Sequence, residues 1–133
     1  MALVFIDNYS VETARANPSL MFIFGDNVKR VGKAGTACLR GEPNSFGIAT
    51  KRWPSTAPHA FFDDEEGADW LVLLEDLDTL RDAVQAHPDV DWVLPTRGIG
   101  NGLSSMKEKC PRLYACLISE LEEIFNTWMP WDE

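Results

Sequence analysis

Cysteine, histidine and basic residues are all scarce in this chain, and each scarcity excludes something. Three cysteines, Cys38, Cys110 and Cys116, stand among 133 residues. An odd number without framework spacing argues against a disulfide scaffold and for a reducing, cytoplasmic setting. No Cys-x-x-Cys pair occurs, so no structural zinc, or other metal, is expected. A thiol nucleophile would need a histidine beside it, and only His59 and His87 exist. No apolar run approaches membrane-spanning length. The segment Met1 to Asp7 lacks the basic region and length of a signal peptide and reads as a first strand. Twelve Lys and Arg against 21 Asp and Glu give a formal net charge of -9. That balance opposes non-specific binding to nucleic acid and to anionic membranes.

What is present describes a globular domain. Hydrophobic residues make up 45% of the chain and charged residues 25%, enough to build one core over residues 1–133. Strand and helix signals alternate. Leu20 to Phe24 is a continuous apolar run, as in a strand buried on both faces. Ser10 is placed to cap a short helix that Asn17-Pro18 ends. Gly35 to Arg40 reads as one or two helical turns, and Phe46 to Thr50 as a further strand. Residues 53–68 form a long loop, of the kind that often covers a ligand. Trp70, Leu73, Leu74, Leu77, Leu80 and Val84 recur at helical spacing, and Pro88 ends that helix. Val90 to Leu94 reads as a strand. Leu113, Leu117, Leu121, Ile124 and Trp128 form the apolar stripe of a last helix, with Pro111 in its first turn. The alternation predicts an α/β fold with parallel pairings and helices on both faces of the sheet.

Two glycine loops follow strand ends. The first contains Gly32, Lys33, Ala34, Gly35 and Thr36; the second contains Thr96, Arg97, Gly98, Ile99, Gly100, Asn101, Gly102 and Leu103. Glycine lets backbone N–H groups approach a phosphate without interference from Cβ, although ordinary strand-to-helix turns need glycine too. Thr50-Lys51-Arg52 ends a third strand. Ligands of parallel α/β sheets bind at strand carboxyl ends, and all three segments fall there. Half of the basic residues (Lys29, Arg30, Lys33, Arg40, Lys51 and Arg52) lie in one stretch. Such a stretch suits a bound anion or an ordinary solvated surface. Two glycine loops together suit a ligand with two phosphates.

The run from Val93 to Leu103, the segment from Arg30 to Ala37 and the strand ending in Thr50-Lys51 together resemble the macrodomain family. They are most similar to the branch holding terminal ADP-ribose protein glycohydrolase and the DNA ADP-ribose glycohydrolase antitoxins. The resemblance runs from about Leu20 to Phe125. It implies a three-layer α/β/α fold on a mixed sheet, and an ADP-ribose-type small molecule or an ADP-ribosylated macromolecule as partner, with no cofactor. It makes Lys51 a nucleophile, which requires a lowered amine pKa; Arg52 beside it would help. It gives Asn27 the distal ribose hydroxyls and Asp7 an adenine contact; Asp26, beside Asn27 at the strand end, is the candidate to substitute as acid or base. Lys33 and Arg97 are available to phosphates. The branch carries an acid just after Gly-Leu, where this chain has Ser104-Ser105. Hydrolysis of an ADP-ribosyl bond therefore stands beside two alternatives. One is a non-catalytic ADP-ribose binder or sponge. The other is an interaction module working through its acidic face and an exposed segment from Trp128 to Trp131.

Overall fold

The computed structural model describes residues 1–132, with the side chain of residue 132 left aside. Four strands, β1 (Leu3–Ile6), β2 (Leu20–Asn27), β3 (Ser45–Lys51) and β4 (Asp91–Pro95), form one sheet in the order β1-β4-β2-β3. All three ladders are parallel. The expected mixed sheet is thus corrected: among the described residues, the one antiparallel pairing is an isolated bridge between Lys51 and Phe61.

Helices α1 (Val11–Ala16), α2 (Gly67–Ala86), α3 (Met106–Lys109) and α4 (Pro111–Phe125) connect and cover the strands. Ser10 caps α1, its side chain accepting the Thr13 N–H at 3.0 Å. The segment after the first glycine loop is a 3-10 helix, Gly35–Leu39, rather than an α-helix. Helix α4 takes its cap from far along the chain. The Asp64 carboxylate accepts the N–H groups of Arg112 and Leu113 at 3.0 and 2.9 Å. A carboxylate there also complements the positive end of the helix dipole. The long loop is thereby fastened at Asp64, and a short 3-10 turn, Pro58–Ala60, sits inside it.

Core residues divide between the sheet faces. Ile23, Ile48, Trp92 and Leu94 pack with Leu73, Leu77 and Leu80 of α2 and Leu113, Leu117 and Leu121 of α4. Phe22, Phe24 and Val93 pack with Ala14 of α1 and with Ala37 and Leu39. Strand residues alternate faces, so neighbours in sequence enter opposite cores.

Two stripe positions and the C-terminal segment behave otherwise than expected. Leu74 is 40% exposed on the outer side of α2. Trp128 lies beyond α4 and is 61% exposed, because Asn126 adopts the left-handed conformation (φ 49°) and ends the helix. Met129, expected on an exposed tail, is fully buried, and Trp131 packs edge-on against Phe5 with ring centres 6.2 Å apart.

Strand pairing itself opens the sheet at one end. The β2–β4 ladder covers only Leu20–Phe22 against Asp91–Val93, while β2 runs on to Asn27 beside β3. The Tyr9 hydroxyl lies at the fork, 2.7 Å from the Ile23 carbonyl oxygen and 3.1 Å from that of Val93, donating to the pair. Its burial pushes the phenol pKa well up, so it remains a donor.

Candidate functional site

Beyond the fork lies a cavity of about 500 Å³ at the carboxyl ends of all four strands. Asp7 follows β1, Gly25 to Asn27 end β2, Thr50 and Lys51 end β3, and Pro95 ends β4; all line it. A register shift between Asp26 and Asn27 sets Asn27 opposite Lys51 and leaves Thr50 as the extra residue of a bulge. Bulges of this kind re-aim side chains next to sites. Thr50 donates through Oγ1 to the Asp26 carbonyl at 3.2 Å, so the bulge is tied to β2.

The second glycine loop forms one wall. Arg97, Gly98, Ile99, Gly100, Asn101, Gly102 and Leu103 all line the cavity, and Ser104 continues the wall. Among the described residues, no N–H group from Ile99 through Ser104 has a protein acceptor. Ile99, Gly100 and Ser104 are buried while Asn101, Gly102 and Leu103 are exposed, so the run offers six donors to solvent or to an acceptor entering the cavity. Gly98 and Gly100 have φ of +89° and +85°, and their glycine identity is fixed from behind. A Cβ at Gly98 would meet the Trp131 ring at 2.6 Å, and one at Gly100 would meet Met106 Sδ at 2.8 Å and Leu117 Cδ2 at 3.0 Å.

The first loop forms the facing wall through Gly32, Ala34, Gly35 and Thr36. The two walls approach closely: a Cβ at Gly35 would lie 3.6 Å from Leu103 Cδ1. Thr36 Oγ1 accepts the Gly25 N–H at 3.0 Å and fixes the loop to β2.

Lys51 connects the second loop to the long loop. Its Nζ donates to the Ser55 carbonyl at 2.8 Å and the Leu103 carbonyl at 3.4 Å, and lies 4.4 Å from the centre of the Phe61 ring. Desolvation among these groups lowers its pKa below the ordinary lysine value. Arg52 has no part in that shift. Its guanidinium is turned to the buried Asp69, 2.8 Å away, and to the His59 carbonyl at 3.2 Å. Arg52, Lys33 and Thr96 do not line the cavity. Lys33 donates to the Arg40 carbonyl at 3.2 Å, and the Thr96 N–H to the Ile6 carbonyl at 3.0 Å.

Three of the six residues of the basic stretch are held in ion pairs. Arg30 pairs with Asp26 and Asp76, Arg40 with Asp26, and Arg52 with Asp69. Among cavity-lining cations, Lys51 and Arg97 have no carboxylate partner among the described residues. Asp26 is buried and its oxygens accept from Arg30, from Arg40 and from the Asn27 N–H at 2.8 Å. Those contacts anchor its side chain at the cavity edge. Asn27 likewise donates its side-chain amide to the Val31 carbonyl at 2.8 Å, holding the loop rather than standing open.

The sequence did not single out Gly25, Val31, Ala37, Pro54, Ser55, Thr56, Pro95 or Ser104 as lining residues. Pro54 to Thr56 belong to the long loop, whose length was the available signal. Ser104, noted in the sequence only as the residue after Gly102-Leu103, is buried on the cavity wall. Among the described residues no group of His, Cys, Asp and Glu could hold a metal ion, and no helix is long and apolar enough to cross a membrane.

The chain belongs to a family of unknown function, DUF7831, which matches it over residues 4–120. No curated protein and no solved structure matches the chain.

Proposed function

We propose that this DUF7831 protein is a macrodomain-like binder of ADP-ribose-type nucleotides, its helices covering the sheet as a three-layer α/β/α scaffold. One observation carries the reading: a run of six unpaired N–H groups, Ile99 to Ser104, on the wall of a cavity whose Lys51 and Arg97 lack carboxylate partners. On a protein of net charge -9, such a site selects an anion by local donors and not by the overall field. Facing glycine loops supply donors to two phosphates, and a volume of about 500 Å³ is within the range of nucleotide-sized pockets. The diphosphate lies between the loops, Arg97 adds a charge-assisted bond, and Asp7 is available to the base.

Calorimetry with ADP-ribose and AMP tests the reading. ADP-ribose binds more tightly, because only it engages both loops. Equal affinities, or no binding of either, refute a diphosphate site.

A second reading is supported by the lowered pKa of Lys51. A neutral amine at Lys51 attacks the anomeric carbon of the distal ribose, and the bond to the leaving group breaks. Ser104 stands at the acid's position and Asp26 is held by Arg30 and Arg40, so the leaving group takes the proton that the attacking amine releases, and turnover is slow. Reductive trapping with ADP-ribosylated DNA or protein decides: an adduct on Lys51 supports this reading, and binding without adduct or release leaves the protein a binder.

A further inference from the structure

The two loops obtain their unpaired N–H groups differently. In the first loop, side chains take two of the carbonyls. Asn27 Nδ2 donates to the Val31 carbonyl at 2.8 Å, and the Arg40 guanidinium donates to the Gly32 carbonyl. Among the described residues, the N–H groups of Gly32, Lys33, Ala34 and Gly35 have no protein acceptor. With two carbonyls occupied and four exposed N–H groups left over, the loop offers more donors than acceptors to an anion.

Arg40 is itself held. Its Nε lies 3.1 Å from Asp26 Oδ1, and a second guanidinium nitrogen pairs with the same oxygen. The Asp26 side chain is only 4% exposed. Gly47 makes room for it, since a Cβ there would lie 2.8 Å from Asp26 Oδ2. The chain of contacts therefore runs from β3, through a carboxylate at the end of β2, through Arg40, to a carbonyl of the first glycine loop. Arg40 does not line the cavity.

We propose that Arg40, anchored by Asp26, is a positioning residue that fixes the first glycine loop in its donor-out state and thereby sets the preference for a diphosphate over a monophosphate. The proposal rests on the nucleotide-binding reading above. It assigns the buried Asp26 a task without proton transfer. A planar guanidinium is required, because one side chain must hold a carboxylate and a carbonyl at once; the single ammonium of lysine lacks that fork.

The test is Arg40→Lys, which keeps the charge, with Arg40→Gln as the second variant should the first not fold. Two readouts are taken on wild type and variant: calorimetry with ADP-ribose and AMP, and backbone 15N relaxation of Gly32 to Gly35 without ligand. In wild type the loop amides have order parameters near ~0.85, and in the variant they fall below ~0.6. ADP-ribose affinity drops at least about tenfold, as expected when a binding element is misplaced. AMP affinity changes less than about twofold, so the ratio between ligands collapses. A general structural role would weaken both ligands alike. An unchanged ratio, or a loop that stays rigid in the variant, overturns the proposal. If wild type binds no ADP-ribose, the nucleotide reading fails, while the relaxation data still decide whether Arg40 orders the loop.

Discussion

Gly100 and Gly102 lie two residues apart on the same loop, yet their substitutions should act on different properties. Gly100 has φ +85°, where an alanine costs about 1–2 kcal/mol of backbone strain. Its Cβ would also lie 2.8 Å from Met106 Sδ and 3.0 Å from Leu117 Cδ2. The thioether can move aside, but Leu117 is fully buried, and overpacking of this kind adds about 1–2 kcal/mol. Gly100→Ala should therefore destabilise by about 2–4 kcal/mol, or roughly 8–16 °C in Tm at about 4 °C per kcal/mol for a chain of this size. At Gly102 a Cβ meets nothing within 4 Å, and its φ is outside the left-handed region. Gly102→Val should leave Tm within about 2 °C, consistent with a change under ~0.5 kcal/mol, and weaken ADP-ribose by crowding the unpaired N–H groups. Differential scanning calorimetry and titration calorimetry on both variants read the contrast. A Gly100→Ala protein that melts with wild type would refute the packing argument. A Gly102→Val protein that binds ADP-ribose normally would refute the claim that this stretch of backbone meets the ligand.

Further expectations concern the helices, a lysine and a thiol. Leu117→Ala removes a fully buried side chain between α4 and the sheet and should cost about 2–5 kcal/mol in urea denaturation; a change under about 0.5 kcal/mol contradicts the packing. Lys51 has its pKa lowered by desolvation, so between that value and the unfolded 10.5 the unfolded state binds more protons. Stability from this group should rise with pH across that window, whereas anion affinity should fall as the amine deprotonates; Lys51→Met should remove both trends, and their persistence would show that another group titrates. Cys110 is fully buried, and burial with nearby Asp64, Asp69 and Asp63 pushes its thiol up to about 12. Iodoacetamide at pH 8, followed by mass spectrometry, should leave Cys110 unmodified in the native protein, and rapid labelling there would contradict its burial.

Periodicity and punctuation revealed the elements because both are properties of neighbouring residues. The run Leu20 to Phe24 lies in β2, the spacing of Leu73, Leu77, Leu80 and Val84 marks the buried side of α2, and Pro111 opens α4. Both glycine loops fall at strand carboxyl ends, and most of their residues line one cavity. Spacing was a weaker guide where a single residue redirects the chain. Trp128 continues the stripe of α4 on paper, but the left-handed Asn126 turns it out to solvent, and Met129 turns inward instead.

By itself, then, the sequence determined the α/β alternation, the strands and helices, and the placing of glycine beside strand ends. It did so because hydrophobic spacing and backbone freedom act within a few residues. Only the tertiary structure decided what the charges do. Arg30 meets Asp76 across 46 positions, Arg52 meets Asp69 across 17, and Asp26 gathers Arg30 and Arg40. Those pairings occupy the three arginines of the basic stretch, leaving Lys51 and Arg97 without carboxylate partners at the cavity among the described residues. They make Asp26 an anchor for two arginines. An ion pair depends on which side chain arrives opposite, and that is fixed by the folding of distant strands and helices against one another, not by spacing along the chain.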